Sequence, residues 1–262
     1  MGSLLAGRRV VVVGAGTRPS DDPDAPVGNG RAIAVRAAQE GASVAVVDRD
    51  EGAARQTARL VEEAGGVAVV VVADVADEAA CERLVEESAA GLGGLDGVVL
   101  NVGIGSGARL AGTSAAQWDE VFAVNVRAHF LVCRAALPRM GEGEGAGGSV
   151  VMISSVAGLK PGSRIPAYDA SKAALAGLSR HVALEGARHG VRCNVVAPGL
   201  IDTPLGRLAS QGRPGRERTP VPLGRQGTAW EVAAPVVFLL SEDAGYITGQ
   251  VIAVDGGLST LM

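Results

Sequence analysis

Seven short runs of apolar, mostly β-branched residues punctuate the chain, at 9–13, 43–47, 67–72, 97–100, 149–153, 192–196 and 250–254. They are near-continuous rather than alternating, which is the pattern of strands covered on both faces. Longer segments with helical periodicity lie between most of them. Strands alternating with helices predict a doubly wound α/β fold: a seven-stranded parallel sheet with helices on both faces, in a single domain over residues 1–262. One helix should follow Gly30 as RAIAVRAAQEG, and another should start at Pro166, since proline suits the first helical position. A third, marked by Ser114 and Gln117 in capping-box spacing, should carry Asn125 on the stripe of Trp118, Val121 and Phe122. Two Pro-rich segments, 17–27 and 211–222, interrupt the rhythm and are expected to be surface loops.

The residues that close these runs carry chemistry: Gly14, Asp48, Asp74, Asn101, Ser155 and Pro198 each follow an apolar stretch. Open parallel sheets bind ligands just outside the carboxyl ends of their strands, so six such ends point to one crevice. Gly14, Gly28, Asn29 and Gly30 would let backbone N–H groups approach a pyrophosphate at a helix N-terminus. Asp48, 18 residues beyond Gly30, is placed to accept hydrogen bonds from an adenosine ribose or to cap a helix. A carboxylate there also repels a 2′-phosphate, which favours NAD. Arg49 beside it keeps NADP open, since a guanidinium would pair with that phosphate, or it is a solvated surface charge. Asp74 is placed for the adenine and Asn101 with Gly103 for the adenosine side, with turn formation as the alternative for each.

A second group sits in SSVAGLKPGSRIPAYDASK: Ser155, Tyr168 and Lys172. With a helix starting at Pro166, Tyr168 falls in its first turn and Lys172 one turn further on the same face. The lysine and the helix N-terminus both favour tyrosinate, so the phenol pKa should fall from about 10 toward 7, a differential interaction on the order of 4 kcal/mol. That makes Tyr168 an acid or base usable at neutral pH.

Composition narrows the surroundings of that chemistry. A chain 47% hydrophobic but only 3% aromatic, with 38 glycines, builds its interior from small aliphatic residues and tight turns. A net charge of −4 offers no basic surface for nucleic acid, and no uncharged stretch reaches the roughly 20 apolar residues of a membrane span. MGSLLAGRR has no positive segment ahead of an apolar one, and Cys81, Cys133 and Cys193 are odd in number and far apart, so reduced thiols in the cytoplasm are expected. His129, His181 and His189 show no metal-ligand spacing and are expected to cap or decorate helices.

With these pieces in order, the chain resembles the short-chain dehydrogenase/reductase family over nearly its full length. The matching landmarks are Gly14, Gly28 and Gly30; Asp48; Asp74 with Val75; Asn101-Val102-Gly103; Asn125; Ser155; Tyr168 with Lys172; Pro198-Gly199; Thr203; and the closing YITGQVIAVDGG. The resemblance implies a Rossmann-type sheet, a nicotinamide cofactor and hydride transfer between it and a secondary alcohol or ketone. It implies Tyr168 as general acid/base, Ser155 at the substrate oxygen, and Lys172 on the nicotinamide ribose. Ile201 and Thr203 would hold the carboxamide, Asn125 a proton-relay water, and the assembly would be a homotetramer.

Two departures stand out. Thirteen residues separate Gly14 from Gly28, an insertion of ten relative to the family spacing, expected at 17–27 either as a lid over the adenosine half or as a plain surface loop. Leu100-Asn101-Val102-Gly103 replaces the usual Asn-Asn-Ala-Gly, for which slight repacking is expected. In the variable substrate loop, 203–227, Arg207, Arg213, Arg216, Arg218 and Arg225 suggest an anionic substrate or a solvated basic loop. An NADP-dependent ketoreductase and a non-catalytic dinucleotide sensor are the competing readings.

Overall fold

The computed structural model describes residues 3–18, 24–140, 147–210 and 220–261. Its strands are β1 (Arg9–Val13), β2 (Ser43–Asp48), β3 (Ala68–Val72), β4 (Gly97–Leu100), β5 (Gly148–Ile153), β6 (Val191–Pro198), β7 (Ile201–Asp202), β8 (Gly227–Thr228) and β9 (Val251–Val254). Seven of them form one parallel sheet in the order β3-β2-β1-β4-β5-β6-β9. These are the seven predicted runs, with β1 and β4 matching to the residue. β6 differs most, because it continues through Pro198, which pairs with Val254 as its last residue, where a missing N–H does least harm. The parallel β7–β8 pair, two residues each, had no counterpart in the predicted strands.

The period of two along each strand sorts its side chains onto two faces. Val10, Val12, Val44, Val46, Val99 and Val151 are buried on one, with helices α1 (Asn29–Gln39), α2 (Glu51–Glu63) and α8 (Ala229–Leu240). Val11, Val13, Ala45, Val47, Val98 and Val150 are buried on the other, under α3 (Glu78–Leu92), α5 (Ala128–Met140) and α6 (Pro166–Gly186). Each fully buried valine contributes about 1.5–3 kcal/mol, so consecutive valines clamp both helical layers to one sheet.

Helix starts follow local chemistry. Asp50 and Asp77 cap α2 and α3, the Ser114–Gln117 box opens α4 (Ala115–Phe122), and Pro166 occupies the first turn of α6. The predicted helix through Asn125 is modified: a π-helical turn, Ala123–Arg127, joins α4 to α5 and carries that residue. Residues 115–140 are together long and apolar enough to cross a bilayer, but Leu131, Val132, Cys133 and Ala136 pack into the core. The remaining helix, α7 (Pro204–Ser210), follows β7.

Candidate active site

β1 and β4 are neighbours whose chains continue to opposite sides of the sheet, the switch point at which doubly wound folds open a crevice. Their register pairs Val13 with Leu100, which brings the next residues, Gly14 and Asn101, together. Asn101 Nδ2 donates to the Gly14 carbonyl at 2.8 Å. Gly14 takes φ +78, the left-handed region that glycine enters without strain. A Cβ on Gly30 would overlap the Gly14 carbonyl, so α1 can start this close to β1 only with glycine there.

The α1 N-terminus is capped by no side chain: Gly28 is its N-cap, and the Asn29 Oδ1 is buried without a hydrogen-bond partner. Orphan N–H groups and an orphan amide oxygen facing a crevice fit a dinucleotide's phosphates and sugar. Beside them the Gly16 amide donates to Asp48 Oδ2 at 2.8 Å, and a Cβ on Gly16 would come within 2.7 Å of that oxygen. Asp48 Oδ1 accepts from the Asp50 amide, which fixes the carboxylate at the end of β2. Arg49, Asp74, Asp77 and Arg83 line an open depression of about 650 Å³ next to it. Asp74 Oδ1 accepts from the Ala76 amide, so it forms a turn as well as a wall, and Val75 is buried. The base of the 17–27 insertion is pinned where the Gly28 amide donates to Thr17 Oγ1; residues 19–23, with Pro19, Asp21, Asp22 and Pro23, lie outside the described residues.

A second, larger cleft of about 1150 Å³ is lined by Ser155, Tyr168, Pro198, Ile201 and Thr203, and by Asn29. Ser155 is extended and caps the short 3-10 turn Val156–Gly158, its Oγ accepting from the Ala157 amide. That turn rests on α6 at Lys172, where a Cβ on Gly158 would come within 2.6 Å of the backbone. Ser154 is structural, its Oγ donating to the Lys172 carbonyl at 2.7 Å.

Lys172 is 4% exposed, and its Nζ donates to the Ile153 carbonyl at 2.9 Å and to Val102 at 3.4 Å. The ammonium also lies 5.9 Å from the centroid of the Tyr168 ring. Burial lowers its pKa to about 8, so near pH 7 it is still mostly charged. A Cβ on Gly103 would come within 2.9 Å of Nζ and 3.7 Å of Asn125 Oδ1; with glycine, the space between lysine and asparagine stays open. Asn125, fully buried, accepts from the Ile104 amide (2.8 Å) and donates to the Ile104 carbonyl and Ser171 Oγ (2.9 Å each). Its amide is thus bonded mainly to backbone, and the π-helical turn is what aims it there.

Thr203 Oγ1 accepts from the Gly206 amide at the start of α7, and Ile201 lies in β7. Arg207 pairs with Asp202 and Arg225 with Glu231, so those two loop arginines balance neighbouring acids; Arg213, Arg216 and Arg218 lie outside the described residues. His129 corrects the expectation for the histidines. It is wholly buried in α5, neither ring nitrogen has a hydrogen-bond partner, and burial with the Lys172 charge lowers its pKa to about 3. Looser contacts with the Leu100 and Val124 backbone pull weakly the other way. His181 is exposed and pairs with Glu185. All three cysteines are buried and free.

Supporting residues were missed in the sequence. Ser171 bridges Asn125 to the Tyr168 carbonyl, and its place beside Lys172 was the only signal for it. Thr57 ties α2 to the Ala15 carbonyl and receives the buried Arg31, a long-range link without a local pattern.

Comparison with known proteins follows the same lines. The family described as enoyl-(acyl carrier protein) reductase matches residues 26–259. The 2-(S)-hydroxypropyl-CoM dehydrogenase 3 of Xanthobacter autotrophicus is 38% identical over 240 residues, 89% of this chain and 93% of that protein. The (3R)-3-hydroxyacyl-CoA dehydrogenase of Mus musculus is 40% identical over 239 residues, 88% and 92% of the two chains. A crystal structure of a short-chain type dehydrogenase/reductase from Mycobacterium marinum superposes with a TM-score of 0.85 at 30% identity, covering 98% of this chain and 96% of that one.

Proposed function

This chain belongs to the short-chain dehydrogenase/reductase family of NAD(P)-dependent oxidoreductases, and on that premise we propose that it interconverts a small-molecule secondary alcohol and its ketone with Tyr168 as general acid/base. The observation that carries the assignment is the shared cleft: Ser155 and Tyr168 both line it, and the Lys172 ammonium lies 5.9 Å from the centroid of the phenol ring. A nicotinamide dinucleotide supplies the hydride acceptor or donor. The α1 N-terminus with Gly14, Gly28, Asn29 and Gly30 would hold its phosphates, and Asp48, Asp74, Val75 and Asn101 its adenosine half. Lys172, Pro198, Ile201 and Thr203 would surround its nicotinamide half, and the proximity of Gly103 to Lys172 favours that half for Gly103 over the adenosine side first expected.

In oxidation the Tyr168 phenolate oxygen takes the hydroxyl proton as the carbonyl forms; in reduction it returns that proton. Ser155 Oγ donates a hydrogen bond to the substrate oxygen, where negative charge develops. The Lys172 ammonium favours the phenolate by its field. The open space at Gly103, between Lys172 and Asn125, suits a water that would pass protons onward.

NAD is the preferred cofactor in this reading, because the Asp48 carboxylate is locked by Gly16 and Asp50 where a 2′-phosphate would have to sit. Arg49 and Arg83 on the neighbouring depression are what supports the NADP alternative, the ketoreductase reading. Buried thiols suit a cytoplasmic protein, and exposed Trp118, Phe130 and Leu184 on α4, α5 and α6 suit subunit contacts in a homotetramer.

The test is Tyr168→Phe. It should abolish cofactor-linked turnover across a panel of secondary alcohols and ketones while NADH still quenches Trp118 and Trp230 fluorescence. Turnover undiminished in the variant would remove Tyr168 from the chemistry, and loss of NADH quenching would make its role one of binding.

A further inference from the structure

The cleft beside Tyr168 has a one-sided charge. Among the described residues that line it there is no aspartate or glutamate, although the chain has 28 acids against 24 lysines and arginines. The charged side chains on its wall are Lys160 and Arg164, both from the segment between Ser155 and the start of α6. Asp169, the nearest acid on α6, is not among the lining residues, and its Oδ2 is directed to the Gly162 amide. Val156, Ile165, Leu205, Leu208 and Leu258 give the same cleft an apolar lining, beside the uncharged Ser163, Gln226 and Ser259.

Arg164 is held in place by the fold. Its φ of +66 is one of only two positive values outside glycine among the described residues, and the other, +54, belongs to Arg109. The Arg109 amide donates to the Arg164 carbonyl at 2.8 Å, so the two left-handed residues are tied to each other. A bulky residue takes this conformation at a free-energy cost, which the surroundings must offset. Among the described residues the Arg164 guanidinium itself makes no hydrogen bond or ion pair, and it is exposed on the cleft.

We propose that Arg164, assisted by Lys160, recognises a negatively charged group on the substrate, so that the enzyme acts on anionic alcohols or ketones in which an apolar segment separates the reacting carbon from a carboxylate or sulfonate. This rests on the oxidoreductase reading above and names its substrate class. A guanidinium offers paired donors to such a group, and the apolar lining gives the intervening segment a surface to bury against. The arginines of the 203–227 loop are not needed for it: Arg207 and Arg225 are committed to Asp202 and Glu231.

The experiment uses methyl ketones bearing a terminal carboxylate about two to five methylenes from the carbonyl, and their methyl esters. Turnover, and binding to the NADH-loaded protein by calorimetry, are measured for the wild type, Arg164→Asn and Lys160→Gln. Asparagine tolerates the left-handed backbone, so R164N keeps the loop. The expected result is a wild-type preference for acid over ester of roughly tenfold or more in kcat/KM or in Kd. That preference should shrink about tenfold in R164N, shrink less in K160Q, and fall with added salt in the wild type. Esters that match the acids, or a preference indifferent to R164N and to salt, would overturn the anion assignment; so would failure of every acid to bind. If turnover in any of these assays survives Tyr168→Phe undiminished, the oxidoreductase mechanism fails instead, which keeps the two claims separable.

Discussion

The Lys172 ammonium donates a 2.9 Å hydrogen bond to the Ile153 carbonyl, at the end of the strand that leads into Ser154 and Ser155. A buried cation is thus tethered by the strand that delivers Ser155 to the cleft. A lysine held near 8 rather than 10.5 stores on the order of 3 kcal/mol against folding at neutral pH, net of that hydrogen bond. The unfolded chain binds the extra proton between those two values. The penalty is therefore complete below pH 8 and disappears as pH rises toward 10.5. Lys172→Met should melt at a higher temperature than the wild type at pH 7, with the gap closing by pH 10, while turnover falls about 10²–10⁴-fold. Melting curves across pH check the first part and initial rates the second.

His129 titrates in the opposite region. It stays neutral in the fold down to about pH 3, while in the unfolded chain it protonates below 6.5. Stability should therefore drop as pH falls through 6.5, by on the order of 3 kcal/mol at about pH 4.5. In His129→Leu that acid slope should flatten, as urea unfolding at several pH values would show; an unchanged slope would place the titrating group elsewhere.

Asp48→Asn removes the charge beside Gly16 but keeps an acceptor for its amide. NADPH should then bind about tenfold more tightly and NADH about tenfold less tightly, since hydrogen bonds to charged groups are worth about 1.5–3 kcal/mol. Fluorescence titration with both cofactors gives the ratio.

Asn125→Ala should lower stability by about 2–4 kcal/mol, because it strands the half-buried Ile104 amide and carbonyl and leaves the buried Ser171 without its donor. Asn125→Asp keeps the acceptor, loses both donors and buries a carboxylate against the Ile104 carbonyl. Denaturant midpoints should fall below the wild type in both variants, more steeply with rising pH for Asp, with the pH profile of kcat shifted in both if the amide also serves proton relay.

Gly30→Ala is expected to cost about 3 kcal/mol or more, since its methyl group would overlap the Gly14 carbonyl and crowd Asn101 Nδ2. Circular dichroism melts compare it with Gly177→Ala, whose added methyl group meets nothing within 4 Å.

Much of this was legible in the sequence because the signals were local. Apolar, mostly β-branched runs marked β1 to β6 and β9, and Ser114 with Gln117 marked the start of α4, since each depends on neighbours within one turn or strand. Lys172 one turn after Tyr168 likewise followed from helical spacing. The π-helical turn was hidden, because AVNVR has nothing to separate it from ordinary helix; the geometry is imposed by the contacts of Asn125 with Ile104 and Ser171. His129 was misread for a related reason: a histidine in an apolar helix has no sequence mark of burial. Arg164 gave no sign of its left-handed backbone either, which arises from the facing loop at Arg109.

The short β7–β8 pair joins Ile201 to Gly227 and Asp202 to Thr228, clasping both ends of the segment that follows the cleft wall. A closed base makes the intervening sequence exchangeable: doubling its length adds only about 0.6 kcal/mol of closure entropy. New specificities can then arise by rewriting one stretch of chain, with the hydride-transfer apparatus left intact underneath.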